Sequence, residues 1–174
     1  MALAVRPAAP GDVEGLAEVH VRCWQETYQG MLSQEFLAAQ NSGTRLPLWR
    51  HLLESAEPAE AWVASDGGTL VGFAGIRREP GAASHSFEPP SSGDLELWGL
   101  YLLASHQGLG LGRRLLEAAL GDEPASLWVA AHNAPAISFY RHFGFAPDGA
   151  ADVIPEWENL REIRMVRPRQ AAFR

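Results

Sequence analysis

Leu95-Glu96-Leu97-Trp98-Gly99-Leu100-Tyr101-Leu102, a short polar link, and then Gln107-Gly108-Leu109-Gly110-Leu111-Gly112-Arg113-Arg114 read as a strand, a glycine-rich turn and a helix. Glycines at every second position remove the β-carbons that would keep a ligand from the backbone, so several N–H groups can converge on one anion. The free N–H groups at the helix start add their dipole. A pyrophosphate suits such a cradle. Arg113 and Arg114 put full positive charge in the first turn, where they oppose the helix dipole and gain from an anionic ligand.

The spacing excludes two familiar phosphate binders. A P-loop needs a lysine after its glycines, and all 14 basic residues here are arginine. A dinucleotide fingerprint needs Gly-x-Gly-x-x-Gly and an acidic residue about twenty positions on, whereas Gly108, Gly110 and Gly112 follow each other at steps of two. Asp122 and Glu123 come too soon. A purely structural turn that lets the helix pack closely on the strand is the competing reading.

Working outward, Val13, Leu16, Ala17, His20 and Trp24 recur at helical steps, which predicts a helix over about 11–24 entered from Pro10-Gly11-Asp12. A short helix follows Ser33, and a third, marked by Leu46, Trp49 and Leu52-Leu53, ends before Pro58. Trp62–Ser65 and Leu70–Arg77 flank Asp66-Gly67-Gly68, which predicts a hairpin. Residues 79–93 are rich in Pro, Gly and Ser and read as a mobile connection of the length used for lids or binding loops. A strand is expected over 95–103, with Gly99 marking a bulge or a close approach of backbone. A helix over about 109–120 and a buried strand over 127–131 follow. Ala136, Phe139, Tyr140 and Phe143 form a helical stripe that stops at Gly144, and residues 161–166 supply a last strand. No internal repeat interrupts this order.

Length and composition bound the rest. A chain of 174 residues, 47% hydrophobic, forms one globular domain over 1–174 with a proper core. No apolar run reaches the roughly 18 residues of a membrane span, and no signal-peptide pattern opens the chain, which points to a cytoplasmic protein with no membrane partner. The lone Cys23 has no cysteine to pair with. A formal charge of −7 disfavours nucleic acid as a partner. His20 and Cys23 alone do not make a zinc site, so no metal is expected.

Gln107-x-x-Gly110-x-Gly112, placed after a strand and before a helix, resembles the Gln/Arg-x-x-Gly-x-Gly/Ala signature of the GNAT superfamily of N-acetyltransferases. Asn133, followed by Ala136-Ile137-Ser138-Phe139-Tyr140-Arg141-His142-Phe143-Gly144-Phe145, is similar to the second coenzyme motif of that family, and residues 20–30 are similar to the first-helix segment of many bacterial members. Ala104-Ser105-His106 lacks the proline and acidic residue often found before the signature glutamine. The resemblance implies an α/β fold of α+β type: a central mixed, mostly antiparallel sheet with splayed central strands, flanked by helices. It implies acetyl-CoA as co-substrate, its pantetheine arm on the backbone of Leu100 and Leu102 and its pyrophosphate on Gln107, Gly108, Leu109, Gly110, Leu111, Gly112 and Arg113. Asn133 would bind the coenzyme, with an ordinary helix cap as its alternative role, and Tyr140 would protonate the departing thiolate, with core packing as the alternative.

For the base, strand alternation puts Glu96, Trp98, Leu100 and Leu102 on one face, with Glu96 expected in an apolar setting that favours basicity. A solvated edge glutamate is the other reading. Trp24, Tyr28 and Trp98 are candidates for the acceptor pocket, against an ordinary place in the core. The reaction implied is acetyl transfer to a primary amine, either a small molecule or a peptide N-terminus. A non-catalytic acyl-CoA sensor, a longer acyl donor and a hydroxyl acceptor are the alternatives, and a homodimer stays open.

Overall fold

The computed structural model describes residues 2–55, 57, 59–78 and 95–169. The connection expected over 79–93 lies outside them. The chain folds as two compact units, Met1–Ile76 with Gly99–Gly121 and Arg77–Trp98 with Asp122–Arg174.

The first unit begins with β1 (Leu3–Pro7). Arg6 holds Asp12 through two hydrogen bonds of 2.7 and 2.8 Å, and Asp12 also accepts from the Ala9 N–H at 2.8 Å. That clasp sets the entry to α1 (Val13–Tyr28), which buries Val13, Leu16, Ala17, His20, Trp24 and Tyr28 along one stripe. The stripe runs one turn beyond the predicted end, because Tyr28 is still on the buried face, and the chain turns at Gly30 with φ +83°. The Ser33 hydroxyl caps α2 (Gln34–Ala39) by accepting from the Phe36 N–H at 3.1 Å. α3 (Ser42–Glu54) packs along α1 and fully buries Trp49 despite Pro47 inside it.

β2 (Glu60–Asp66) and β3 (Thr69–Arg77) form the predicted hairpin. Gly67 and Gly68, at φ +57° and +89°, supply the two left-handed residues that a tight antiparallel turn needs. β1 pairs with β2 at the edge, and α4 (Leu111–Leu120) lies against both. On the other side of the hairpin the Leu103 N–H donates to Val71 O at 2.9 Å. Here Gly72 is required by space: a β-carbon on it would stand 2.5 Å from the Tyr101 carbonyl oxygen.

β4 (Leu95–Leu102) contributes its first half to the second unit. It pairs in parallel with β5 (Ala125–Ala130) at only two positions, Leu95 with Ala125 and Glu96 with Ser126. β5 then pairs antiparallel with β7 (Leu160–Arg167), and β7 with β6 (Ala146–Ile154). Between β5 and β6 runs α5 (Ala134–His142). The hydrogen-bonded strand order is β1-β2-β3-β4-β5-β7-β6, a mixed and mostly antiparallel sheet of seven strands accompanied by helices. This is the expected fold.

Two strands depart from the sequence reading. β1 is short and ends in proline, and β6 (Ala-Pro-Asp-Gly-Ala-Ala-Asp-Val-Ile) is largely exposed with no apolar alternation. Both are edge strands, paired on one side only, so neither needs the buried face that periodicity detects.

Candidate functional site

The glycine turn lies wholly in the first unit. Gly108 and Gly110 take φ +75° and +80°, and nothing lies within 4 Å of where a β-carbon would project from either. Gly110 is the N-cap of α4 and offers no side chain, so the amides of Leu111, Gly112 and Arg113 open the helix without a side-chain cap. An anion at this end meets backbone donors and the positive end of a ten-residue helix.

The turn is held from behind. Gln107 donates its side-chain amide to Leu102 O at 3.1 Å, which ties the start of the turn to the end of β4. Glu26, on α1, accepts from the Ala104 N–H at 2.7 Å. His106 stands 3.5 Å from Asp66. The glutamine of the motif thus also braces the loop, and Glu26 is a brace the sequence did not signal, because it lies 78 positions away.

The charges beside the turn differ from expectation. Arg113 forms an exposed i,i+4 pair with Glu117 at 2.7 Å, and Arg114 donates to Leu3 O at 3.2 Å, so each meets a partner within the fold. Leu109 is exposed beside Gly108, whereas Leu111 is fully buried and anchors the helix start.

Leu100 and Leu102 occupy the end of β4. Since Leu103 bonds toward β3, the alternation of a strand turns the backbone groups of Leu100 and Leu102 the other way. The Gln107 bond to Leu102 O is made on that second side.

Trp24 and Tyr28 belong to an aromatic cluster of this unit, with ring centroids 4.7 Å apart. Both are buried, Trp24 to 2% exposure. The Tyr28 hydroxyl lies 3.1 Å from that of Tyr101, and His20 packs against Trp49, Phe73 and Tyr101. His20 Nδ1 accepts from Trp49 Nε1 at 3.2 Å, and burial pushes its pKa down to about 3, so it is neutral at physiological pH. Arg45 stacks its guanidinium 5.6 Å from the Trp24 ring. Tyr101 and Arg45 were missed in the sequence: Tyr101 faces away from the predicted Glu96 face, and nothing in the spacing of Arg45 sets it apart from a surface arginine.

The second unit holds Glu96, Trp98, Asn133 and Tyr140. Glu96 is buried to 7% exposure, as an apolar strand predicts, and Arg77 Nε stands 3.3 Å from its carboxylate. That arginine was not anticipated. It lies on β3, whose last residue belongs to this unit. Trp98 is half-buried.

Asn133 caps α5: its side-chain carbonyl accepts from the Ala136 N–H at 3.2 Å, with Pro135 in the first turn. Its amide N–H groups are not used in that bond. Tyr140 is buried, its ring edge-on to those of Phe139 and Phe145 at 5.4 and 5.9 Å. Among the described residues, no group of three or more His, Cys, Asp or Glu side chains is arranged to hold a metal, and no helix is long and apolar enough to cross a membrane.

Residues 15–145 match the Acetyltransferase (GNAT) family. The uncharacterized N-acetyltransferase YuaI of Bacillus subtilis is 30% identical over 159 residues, covering 85% of this chain and 82% of that protein. A probable N-acetyltransferase of Mycobacterium tuberculosis is 27% identical over 157 residues, covering 83% and 80%. Among solved structures, the PaiA N-acetyltransferase of Thermoplasma acidophilum in complex with coenzyme A has a TM-score of 0.68 at 22% identity, covering 96% of this chain and 99% of that one. A Corynebacterium glutamicum protein described as histone acetyltransferase HPA2 and related acetyltransferase reaches 0.70 at 24% identity over the whole of both chains. These structural likenesses speak to the fold.

Proposed function

Because the chain belongs to the acetyltransferase (GNAT) family and is an N-acetyltransferase, we propose that it carries the acetyl group of acetyl-CoA directly to a primary amine as one N-acetyltransferase domain, acting in the cytoplasm. The observation that carries the reading is the glycine turn ahead of α4, with two left-handed glycines, open space where side chains would stand, and an uncapped helix start. That cradle fits a pyrophosphate. Gln107, Gly108, Leu109, Gly110, Leu111, Gly112 and Arg113 form it, the Arg113 charge reaching the phosphates only by leaving Glu117. The backbone of Leu100 and Leu102 holds the pantetheine arm. Asn133 gives its side-chain oxygen to the helix and its amide N–H groups to the coenzyme.

In the reaction the neutral amine attacks the thioester carbon, an oxyanion forms, the carbon–sulfur bond breaks and coenzyme A leaves as a thiolate. Tyr140 donates its phenolic proton to that sulfur. Glu96 takes the proton from the amine, through water where the distance requires it. The Arg77 guanidinium stands beside the Glu96 carboxylate as its ion-pair partner.

A thiol assay for coenzyme A release, with acetyl-CoA and a panel of amines, tests the proposal. Glu96→Gln is expected to lower turnover at neutral pH far more than it weakens acetyl-CoA binding, and Tyr140→Phe to lower turnover with binding retained. Unchanged turnover in either variant removes that residue from the mechanism.

A further inference from the structure

The aromatic cluster of the first unit contains a positive charge that no carboxylate among the described residues neutralises. Arg6, Arg50, Arg77, Arg113 and Arg164 each stand within ion-pair distance of a carboxylate, and the half-buried Arg167 donates to the Glu123 carbonyl at 2.8 Å. Arg45 has no carboxylate partner among the described residues. Its Nε is sealed from solvent with no hydrogen bond, and the polar contact it makes is a long one, 3.4 Å from its Nη2 to Gln40 Oε1.

Burial lowers the pKa of Arg45, yet a guanidinium stays charged at any physiological pH. A half-buried cation with most of its donors unused costs stability unless something anionic meets it. The guanidinium lies 5.6 Å from the Trp24 ring centroid, a cation–π contact that offsets part of this cost without neutralising the charge.

The neighbouring polar group has the same bias. With Nδ1 of His20 accepting from Trp49, the ring proton is on Nε2, and that N–H has no acceptor among the described residues. His20 and Arg45 are near enough for the arginine charge to lower the histidine pKa, and Tyr101 is near enough to act on Arg45. Arg45 and the Nε2 donor of His20, the first fully charged, therefore share an aromatic-lined neighbourhood in which no carboxylate among the described residues meets either.

We infer that this neighbourhood receives the carboxylate of the acceptor, with Arg45 as the residue that selects it, so that the amine acetylated is that of an amino acid or a similarly short amino-carboxylic acid. A carboxylate on the guanidinium makes a charge-assisted hydrogen bond in a partly dry setting, where such bonds are strong. A polyamine would bring a second cation to this one and be repelled, and a plain monoamine would leave it unmet. The inference rests on the acetyl-transfer reading and names its substrate class.

The test compares the twenty common amino acids with their carboxamides as acceptors, by coenzyme A release at a pH where both amines are largely neutral. Acetyl-CoA binding is followed separately by calorimetry. In the parent the best amino acid should exceed its carboxamide by about tenfold to a hundredfold in kcat/KM, with the difference mainly in KM. In Arg45→Met, which keeps a stem on Trp24, the acid-to-amide ratio should fall toward one, and Arg45→Lys should recover part of it.

Carboxamides used as well as acids by the parent would overturn the inference. So would a ratio unchanged in Arg45→Met, or acetyl-CoA binding with no amino acid acetylated at all. If the parent does not bind acetyl-CoA, the donor reading fails first and the acceptor reading with it. Should Arg45→Met fail to fold, the parent's own ratio still decides.

Discussion

Gly72→Ala is the substitution whose effect the structure fixes most closely. A β-carbon at residue 72 would lie 2.5 Å from the Tyr101 carbonyl oxygen, 2.7 Å from Leu102 Cδ1 and 3.1 Å from Leu102 Cα. Carbon and oxygen ordinarily approach to about 3.3 Å, so the methyl intrudes by roughly 0.8 Å on a backbone atom that cannot rotate away. Relief requires β3 and β4 to part, at the expense of the 2.9 Å bond from Leu103 N–H to Val71 O. Overpacking of this kind costs about 1–3 kcal/mol, and backbone involvement puts Gly72→Ala at the upper end.

Gly15→Ala is the internal control. Its β-carbon would meet the Leu70 Cδ1 at 3.1 Å, the tip of a side chain that can turn aside. The helix also gains roughly 1 kcal/mol of propensity from the change. Urea denaturation at 25 °C should therefore show Gly72→Ala losing about 2–3 kcal/mol, with Gly15→Ala between neutral and slightly stabilised. Equal effects, or a harmless Gly72→Ala, would refute the close approach of β3 and β4.

Two further effects follow from named contacts. His20 is neutral in the fold with its pKa pushed to about 3, so the unfolded chain takes up a proton near 6.5 that the folded chain refuses; its stabilising contribution is complete above that pH and is lost as pH falls toward 3. Urea midpoints should fall by the equivalent of about 2 kcal/mol between pH 6.5 and 4.5 in the parent and much less in His20→Asn, whereas matching profiles would remove His20 as the cause. The stabilising contribution of the Asp12 carboxyl, held below its usual range by the hydrogen bond from Arg6, is present through this window and is lost only as pH falls below it. Glu26→Ala frees the Ala104 N–H and should cost about 1–2 kcal/mol of stability while raising the acetyl-CoA Kd several-fold; an unchanged Kd would mean that the turn keeps its shape without the α1 brace.

The parts legible in the sequence are those in which a local pattern decides the structure. The Asp66-Gly67-Gly68 turn, the Ser33 cap, the stripe of α1 and the strand-turn-helix around Gly110 each depend on residues within a few positions of one another. Edge strands β1 and β6 were not legible, because pairing on one side leaves no periodic signal. At the candidate site the glycines, Tyr140 and Asn133 stood out through their motifs. Arg77 against Glu96, Tyr101 against Tyr28 and Glu26 against Ala104 did not, since each pair joins residues 19 to 78 positions apart whose encounter is a product of topology. The burial of Glu96 was readable from its strand, but the arginine beside it was not.

The most direct test of the account is a calorimetric titration of the purified protein with acetyl-CoA, alongside Gly110→Glu. Residue 110 has φ +80°, and nothing lies within 4 Å of its β-carbon direction, so the substituted side chain would project into the cradle. The strain of a left-handed glutamate is about 1–2 kcal/mol, which a folded domain of this size can absorb. The parent is expected to bind acetyl-CoA, and the still-folded variant to show no binding heat. A parent that does not bind, or a variant that binds as tightly as the parent, would contradict it.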